Sequence, residues 1–337
     1  MTLYRMGSAD FKIGVACMQG FRNEMEDAHI VVLNGVHHPN AGYFGVLDGH
    51  RGSTASRWFS ENVVPALDRL PQFTSDEIQK TMIQLDIQYL SETNDMNSGT
   101  TAIFCILEKL DQPKDDNHFR ATIINLGDSK FYIGKVGSPS FSSLTHDHKP
   151  TNDVERERIE AAGGCVLRGR VDSFLSVARA LGDHQYKTRK DLPPEKQKII
   201  AVPDVSTVLI GPSDYLVLCC DGILEPEHVA NGGSGIFNFL HSKLQASEDT
   251  AEVLSELIQH LLQNGSKDNM TAMLIELKDG SHYNLGKEFI PGEYYGEFGN
   301  STYVDAYKSS CEREGKTVEQ ARELWGSRRD LILNRKK

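Results

Sequence analysis

Apolar, β-branched runs recur along the chain at residues 12–17, 30–33, 43–47, 101–107, 119–126, 131–136, 215–220 and 271–277. Gly, Asp or Asn follows each run closely, as at strands that end in turns, so each run predicts a strand. No helical stretch separates the runs between residues 101 and 136. Strands that succeed one another directly pair as antiparallel meanders rather than as βαβ units. A helical period is clear in three places. Residues 75–93 carry Ile78, Met82, Leu85, Tyr89 and Leu90 on one face, and residues 250–263 carry Val253, Leu254, Leu257, Ile258, Leu261 and Leu262 before an Asn264-Gly265 stop. Residues 152–162 open on Asn152 with Glu155 three positions on, the spacing of a capping box. Helices set among antiparallel strands predict an α+β fold of two packed sheets with helices outside.

The pattern changes near residue 279. Residues 279–300 are rich in Gly, Tyr and Glu and have no clear period, whereas 302–313 and 318–334 read as helices. The expected organisation is therefore a leader at 1–10, a main domain at 11–278 and a C-terminal helical extension at 279–337. The extension ends in a basic tail with Arg328, Arg329, Arg335, Lys336 and Lys337.

Composition narrows the function classes. A chain of 337 residues buries roughly three quarters of its unfolded surface and needs no disulfide or metal merely to fold. Its 36 Lys+Arg against 47 Asp+Glu give a net charge of −11, which argues against a nucleic-acid partner. Surplus carboxylates are, however, what hard cations require. The apolar runs fall far short of the roughly 20 residues that span a bilayer, so no stable membrane insertion is expected. Cys17, Cys105, Cys165, Cys219, Cys220 and Cys311 are scattered through apolar runs without a CxxC. They read as reduced core thiols of a cytoplasmic protein, with the nucleus as an alternative.

The sharpest chemical signal is an aspartate just after an apolar run and just before a glycine. It occurs at Asp48-Gly49-His50 and again at Asp221-Gly222. A strand end aims such a carboxylate at a rim, and glycine permits close approach of a ligand. Either pair alone is also an ordinary turn. Glu24, Glu26 and Asp27 crowd three acids into four residues, and Asp268 precedes the last predicted strand. Like charges at such density repel unless a cation neutralises them. A P-loop, a cysteine-phosphatase loop, a GxSxG elbow and HExxH are all absent from the sequence.

In order along the chain, these motifs resemble those of the metal-dependent Ser/Thr protein phosphatases of type 2C, the PPM family. The matching segments are Gly20-Phe21-Arg22-Asn23-Glu24-Met25-Glu26-Asp27, Asp48-Gly49-His50-Arg51-Gly52, Ser98-Gly99-Thr100-Thr101 and Asn125-Leu126-Gly127-Asp128. They continue with Asp147-His148-Lys149-Pro150, Ala178-Arg179-Ala180-Leu181-Gly182-Asp183, Cys220-Asp221-Gly222 and Lys267-Asp268-Asn269. The resemblance implies a four-layer αββα sandwich of two antiparallel sheets flanked by helices, with a flap at about 151–176 beside the site.

It also implies roles. Asp48 would bridge two Mg²⁺ or Mn²⁺ ions, with the Gly49 carbonyl, Asp221 and Asp268 as further ligands and Glu26 and Asp27 holding their waters. Arg22 would clamp the substrate phosphate and His50 would act as general acid. Asp128 and Glu225 would hold a weak third ion, although Glu225 stands where the family commonly has Asp. Read from the sequence itself, Arg168 and Arg170 on the flap offer cationic groups suited to an acidic or phosphorylated peptide, with a solvated turn as the equal alternative. The expected activity is hydrolysis of phosphoserine and phosphothreonine in protein substrates by a monomer, through an activated water and without a phosphoenzyme. Oxygen ligands with no thiolate nearby select Mg²⁺ or Mn²⁺ over zinc. The alternatives are a catalytically silent scaffold of the same fold and a phosphatase of small metabolites.

Overall fold

A computed structural model describes residues 1–114, 116–224, 234–246, 249–284, 286–294 and 301–335. Two antiparallel sheets form its centre. The larger has seven strands, ordered β10 (Phe141–Ser143), β9 (Lys130–Lys135), β15 (Asp214–Cys219), β16 (Met270–Glu276), β2 (Lys12–Met18), β1 (Thr2–Gly7) and β17 (Gly286–Phe289). The second has five, ordered β14 (Asp204–Ile210), β8 (Asn117–Leu126), β7 (Ala102–Lys114), β4 (Ala41–Leu47) and β3 (Ala28–Val32). A three-stranded ribbon of β13 (Leu181–Gly182), β6 (Gly99–Thr100) and β5 (Gly49–His50) lies at one end, and β11 (Val166–Leu167) pairs with β12 (Arg170–Val171) in the expected flap.

Alternation along the strands explains the layers. In β4, Phe44 and Val46 enter the core shared with the seven-stranded sheet, while Tyr43 and Leu47 pack under α1 (Thr54–Leu67) and α2 (Ser75–Thr93). In β7, Ile103 and Cys105 face inward and Phe104 and Ile106 face the same helices. Burial on both faces is why these strands read as continuous apolar runs rather than as alternating ones. On the far side α4 (Ser234–Ala246) and α5 (Thr250–Gln263) cover the seven-stranded sheet, and α5 meets it so closely that Gly14 has no room for a side chain beneath Ala251. The αββα sandwich is therefore present. Among the described residues no helix is long and apolar enough to cross a membrane.

Two of the predicted helices start as their caps dictate. Thr74 accepts from the Glu77 N–H at the head of α2, and Asp249 accepts from Ala251 and Glu252 at the head of α5. The third, α3 (Asp153–Ala161), forms without the expected capping box. The Asn152 amide donates instead to Asp147 O at 2.7 Å, and Glu155 binds Arg158 and Arg179. Residues 1–10 are not a detached leader: β1 lies inside the large sheet between β2 and β17. The sheet likewise runs past residue 278, because β17 is its edge strand, before α6 (Ser301–Arg313) and α7 (Val318–Arg335) complete the extension.

Asp68, which caps the end of α1, holds the turn that leads into β4. Its carboxylate accepts from the N–H groups of Val36, His37 and His38 and from Tyr43 Oη at 2.7 Å. Burial alone would raise its pKa, but these hydrogen bonds outweigh burial and hold it below the usual value. Asp68→Asn should therefore cost about 1–3 kcal/mol in urea unfolding near neutral pH. Because the folded-state pKa is the lower one, the wild-type advantage is full above the unfolded value of about 3.9 and fades as pH falls through the folded value. An advantage that persisted undiminished in strong acid would contradict this.

Candidate active site

The strand registers bring the acids together. β4 runs antiparallel to β3, so the end of β4 that precedes Asp48 lies beside the start of β3 that follows Asp27, with Leu47 opposite Ala28. β15 and β16 pair Cys219 with Ala272, which sets Cys220 and Asp221 near Asp268. β2 pairs Met18 with Met270, so the loop carrying Arg22 leaves from the same end. Asp128 lies in the turn after β8, where Leu126 pairs with Ala102 beside it. Arg22 and Asp268, 246 positions apart, thus meet at one rim spanning both sheets.

Asp27, Asp48 and Cys220 each present one ligand atom within 4.8 Å of the others. Burial, first, and the surrounding Asp221, Asp27, Asp128 and Asp268 carboxylates raise the Asp48 pKa well above its usual value. Asp27 is pushed up to about 7 by burial and by Asp268 and Glu26, against the Thr271 hydroxyl and the nearby Cys220 thiol, which lower it. Thr271 Oγ1 donates to Asp27 Oδ2 at 2.7 Å, while Asp27 Oδ1 is buried without a hydrogen-bond partner. An orphaned carboxylate oxygen inside a cluster of mutually repelling acids is the environment a divalent cation satisfies. The residues present fit such an ion.

Cys220 corrects the expectation that no sulfur lies close by. Its thiol accepts from the Thr271 N–H at 3.1 Å. Burial and the neighbouring Asp27, Asp48 and Asp221 raise its pKa well above normal, so without an ion beside it the side chain is a neutral thiol.

The other residues singled out by sequence occupy different parts of the structure. Glu26 turns its side chain to the Gly52 N–H, and its own N–H donates to Asn269 Oδ1 at 2.8 Å. Gly49 passes directly over the Glu26 carbonyl, where a side chain would collide with it. Arg22 pairs with Asp268 and is half exposed at the rim. Asp128 is buried and accepts from Lys149, whose pKa burial lowers but Asp128 raises further, leaving it above normal. Arg168 and Arg170 flank the exposed turn of the β11–β12 hairpin, and Arg170 donates to Phe174 O at 2.9 Å. Glu225 lies outside the described residues.

Sequence reasoning missed the partner of His50. His50 Nε2 lies 2.6 Å from Asp183 Oδ2, and Asp183 is fully buried. Burial would lower the His50 pKa, but the Asp183 carboxylate reverses the balance and raises it. The ribbon explains the contact. His50 on β5 pairs with Gly99 on β6, which pairs with Gly182 on β13. A side chain at residue 99 would occupy the space where His50 and Asp183 meet. Asp183 itself takes a left-handed backbone, φ 53°, one that Asp tolerates better than most residues. The signal was present in the Leu181-Gly182-Asp183 motif, but nothing local in it points to His50.

Comparisons with known proteins agree with this geometry. The family model described as protein phosphatase 2C matches residues 11–270. Protein phosphatase 2C homolog 2 of Schizosaccharomyces pombe is 33% identical over 284 residues, covering 79% of this chain and 73% of that protein. Protein phosphatase 1B of Mus musculus is 32% identical over 288 residues, covering 78% and 70%. A crystal structure of a phosphatase from Toxoplasma gondii superposes with a TM-score of 0.76 at 27% identity, covering 82% of this chain and 96% of that one. With its acids gathered on one rim and the family model spanning both sheets, the chain belongs to the protein phosphatase 2C family.

Proposed function

We propose that this phosphatase hydrolyses phosphoserine and phosphothreonine in proteins, using two Mg²⁺ or Mn²⁺ ions held by Asp48, the Gly49 carbonyl, Asp221 and Asp268, with Glu26 and Asp27 orienting their waters. The observation that carries the reading is the orphaned Asp27 Oδ1 beside Asp48 in a cluster of acids that repel one another. Bound there, the ions would supply an acidified water nucleophile and positive charge for the phosphoryl oxygens.

The chain's own groups do the rest. Arg22, half exposed at the rim, offers a fork of donors suited to a phosphate dianion. His50 is held by Asp183 through Nε2, which leaves Nδ1 to hand a proton to the departing Ser or Thr oxygen. The P–O bond to the side chain breaks as water bonds to phosphorus, giving a free hydroxyl and inorganic phosphate. Positioning and charge neutralisation dominate, so no covalent enzyme intermediate is needed. Lys149 already holds Asp128, so a third ion there would compete with an internal ammonium and bind weakly. Arg168 and Arg170 extend the positive surface available to an acidic or phosphorylated peptide.

Phosphate release from a phosphothreonine peptide tests the reading. Activity should be lost on exhaustive treatment with EDTA and return on adding Mn²⁺ or Mg²⁺. Full activity after chelation would overturn the two-ion site. No release under any metal would favour the silent scaffold.

A further inference from the structure

The loop carrying Arg22 is held by two amide side chains, and one of them is tied to the C-terminal extension. Asn269 donates to Gln19 O at 2.8 Å and to Glu24 O at 3.0 Å, and accepts from the Glu26 N–H. Gln19 follows β2 and is buried. Its Nε2 donates to Arg22 O at 2.9 Å and Asn23 O at 3.0 Å, with Ala306 O on α6 at 3.4 Å. Its Oε1 accepts from Arg313 Nη1 at 3.0 Å, from the last residue of α6.

An amide has a donor end and an acceptor end, whereas a guanidinium can only donate. Arg313 therefore fixes the acceptor end of Gln19, and the donor end faces the backbone of the Arg22 loop. α6 is itself anchored. Tyr307 Oη donates to Gly292 O at 3.1 Å, and Tyr307, Cys311 and Ala321 form a small core that includes Phe289 of β17. Glu314, just past α6, accepts from Thr2 Oγ1 at 3.1 Å and pairs with Lys287 at 2.5 Å, so both β1 and β17 hold it.

We propose that α6 is part of the phosphate-binding apparatus, with Arg313 acting through Gln19 as a positioning residue for the Arg22 loop. This rests on the reading of Arg22 as the phosphate clamp. Asp48, Asp221 and the His50–Asp183 pair approach from other elements, and Glu26 and Asp27 keep their own ties to Asn269, Gly52 and Thr271, so none of them depends on the link. Substrate affinity then depends on the docking of the extension, while turnover of bound substrate does not.

Steady-state kinetics on a phosphothreonine peptide, with melting temperatures measured alongside, test this. Arg22→Ala should raise KM by about tenfold or more. Arg313→Met should raise KM by about threefold to tenfold and change kcat by less than about twofold, the effect of loosening one hydrogen-bonded support. Arg313→Lys, which keeps a donor, should recover most of the loss. In the Arg22→Ala background Arg313→Met should add nothing, because the group it positions is gone. Should Arg313→Met lower the melting temperature strongly, Gln19→Met cuts the same link from the other side and should give the same KM rise. An unchanged KM in the Arg313 and Gln19 variants, with KM raised in Arg22→Ala, would overturn the inference and leave the clamp standing. An Arg313 effect that adds fully to that of Arg22→Ala would also overturn it. An unchanged KM in Arg22→Ala would overturn the clamp, and the inference with it.

Discussion

Asp48→Asn should reduce kcat/KM by about a thousandfold or more while leaving the ion-free protein at least as stable as before. The two halves have one cause. Asp48 faces the carboxylates of Asp221, Asp27, Asp128 and Asp268, and burial strengthens their mutual repulsion. Asn has nearly the same shape and no charge, so the substitution relieves repulsion in the empty cluster. The same loss removes the carboxylate about which divalent ions would gather. Metal-ion charge stabilisation is worth several kcal/mol, and about 1.36 kcal/mol corresponds to tenfold in rate. Kinetics with saturating Mn²⁺ and a thermal melt in EDTA measure the two halves. Activity within tenfold of wild type would remove Asp48 from the centre of the site.

The second large effect belongs to His50 and Asp183. His50→Gln should lower kcat on a phosphothreonine peptide by about 10²–10⁴-fold, the usual worth of a positioned proton donor. On an aryl phosphate, whose leaving group needs little protonation, the loss should be far smaller. Asp183→Asn should show the same substrate dependence, because the 2.6 Å contact is what orients and charges the imidazole. The double variant should be little worse than His50→Gln alone, since residues acting as a unit lose their effect once. Equal losses on the two substrates would argue that His50 does not deliver a proton.

Strands buried on both faces, such as β4, the first half of β7 and β16, were legible because apolar residues dominate them. β1 was not, since Thr2-Leu3-Tyr4-Arg5 reads as polar and its outer partner, β17, lies at the opposite end of the chain. β14 was missed for a related reason. It is an edge strand with only Ile210 buried, and it carries Ser206 and Thr207 in the open. α1 buries Ala55 and Ser56 beside Phe59, Val63 and Leu67 and contains Pro65, so its apolar stripe is faint.

At the site, Asp48, Asp27 and Arg22 could be picked out because chemistry concentrated in short motifs marks them. Asp183 and Asn269 lie inside matching motifs but carry no local sign of their roles, and Gln19 lies in none. Each is an ordinary polar residue whose importance lies in a partner more than a hundred positions away. Cys220 reads as a core thiol until the register of β15 places it beside Asp27.

The link between Gln19 and Arg313 also sets an order of events during synthesis. A chain grows at roughly 5–20 residues per second, so the segment bearing Arg22 waits on the order of tens of seconds for α6 to emerge. Until then β1 lacks its outer neighbour β17, and Gln19 lacks the guanidinium that orients it. Contacts of such sequence separation close late, because the entropy of the intervening loop must first be overcome. The Arg22 loop is therefore among the first segments made and among the last to be fastened. A nascent chain stalled before residue 313 would carry every acid of the site while its Arg22 loop still lacked the support from α6.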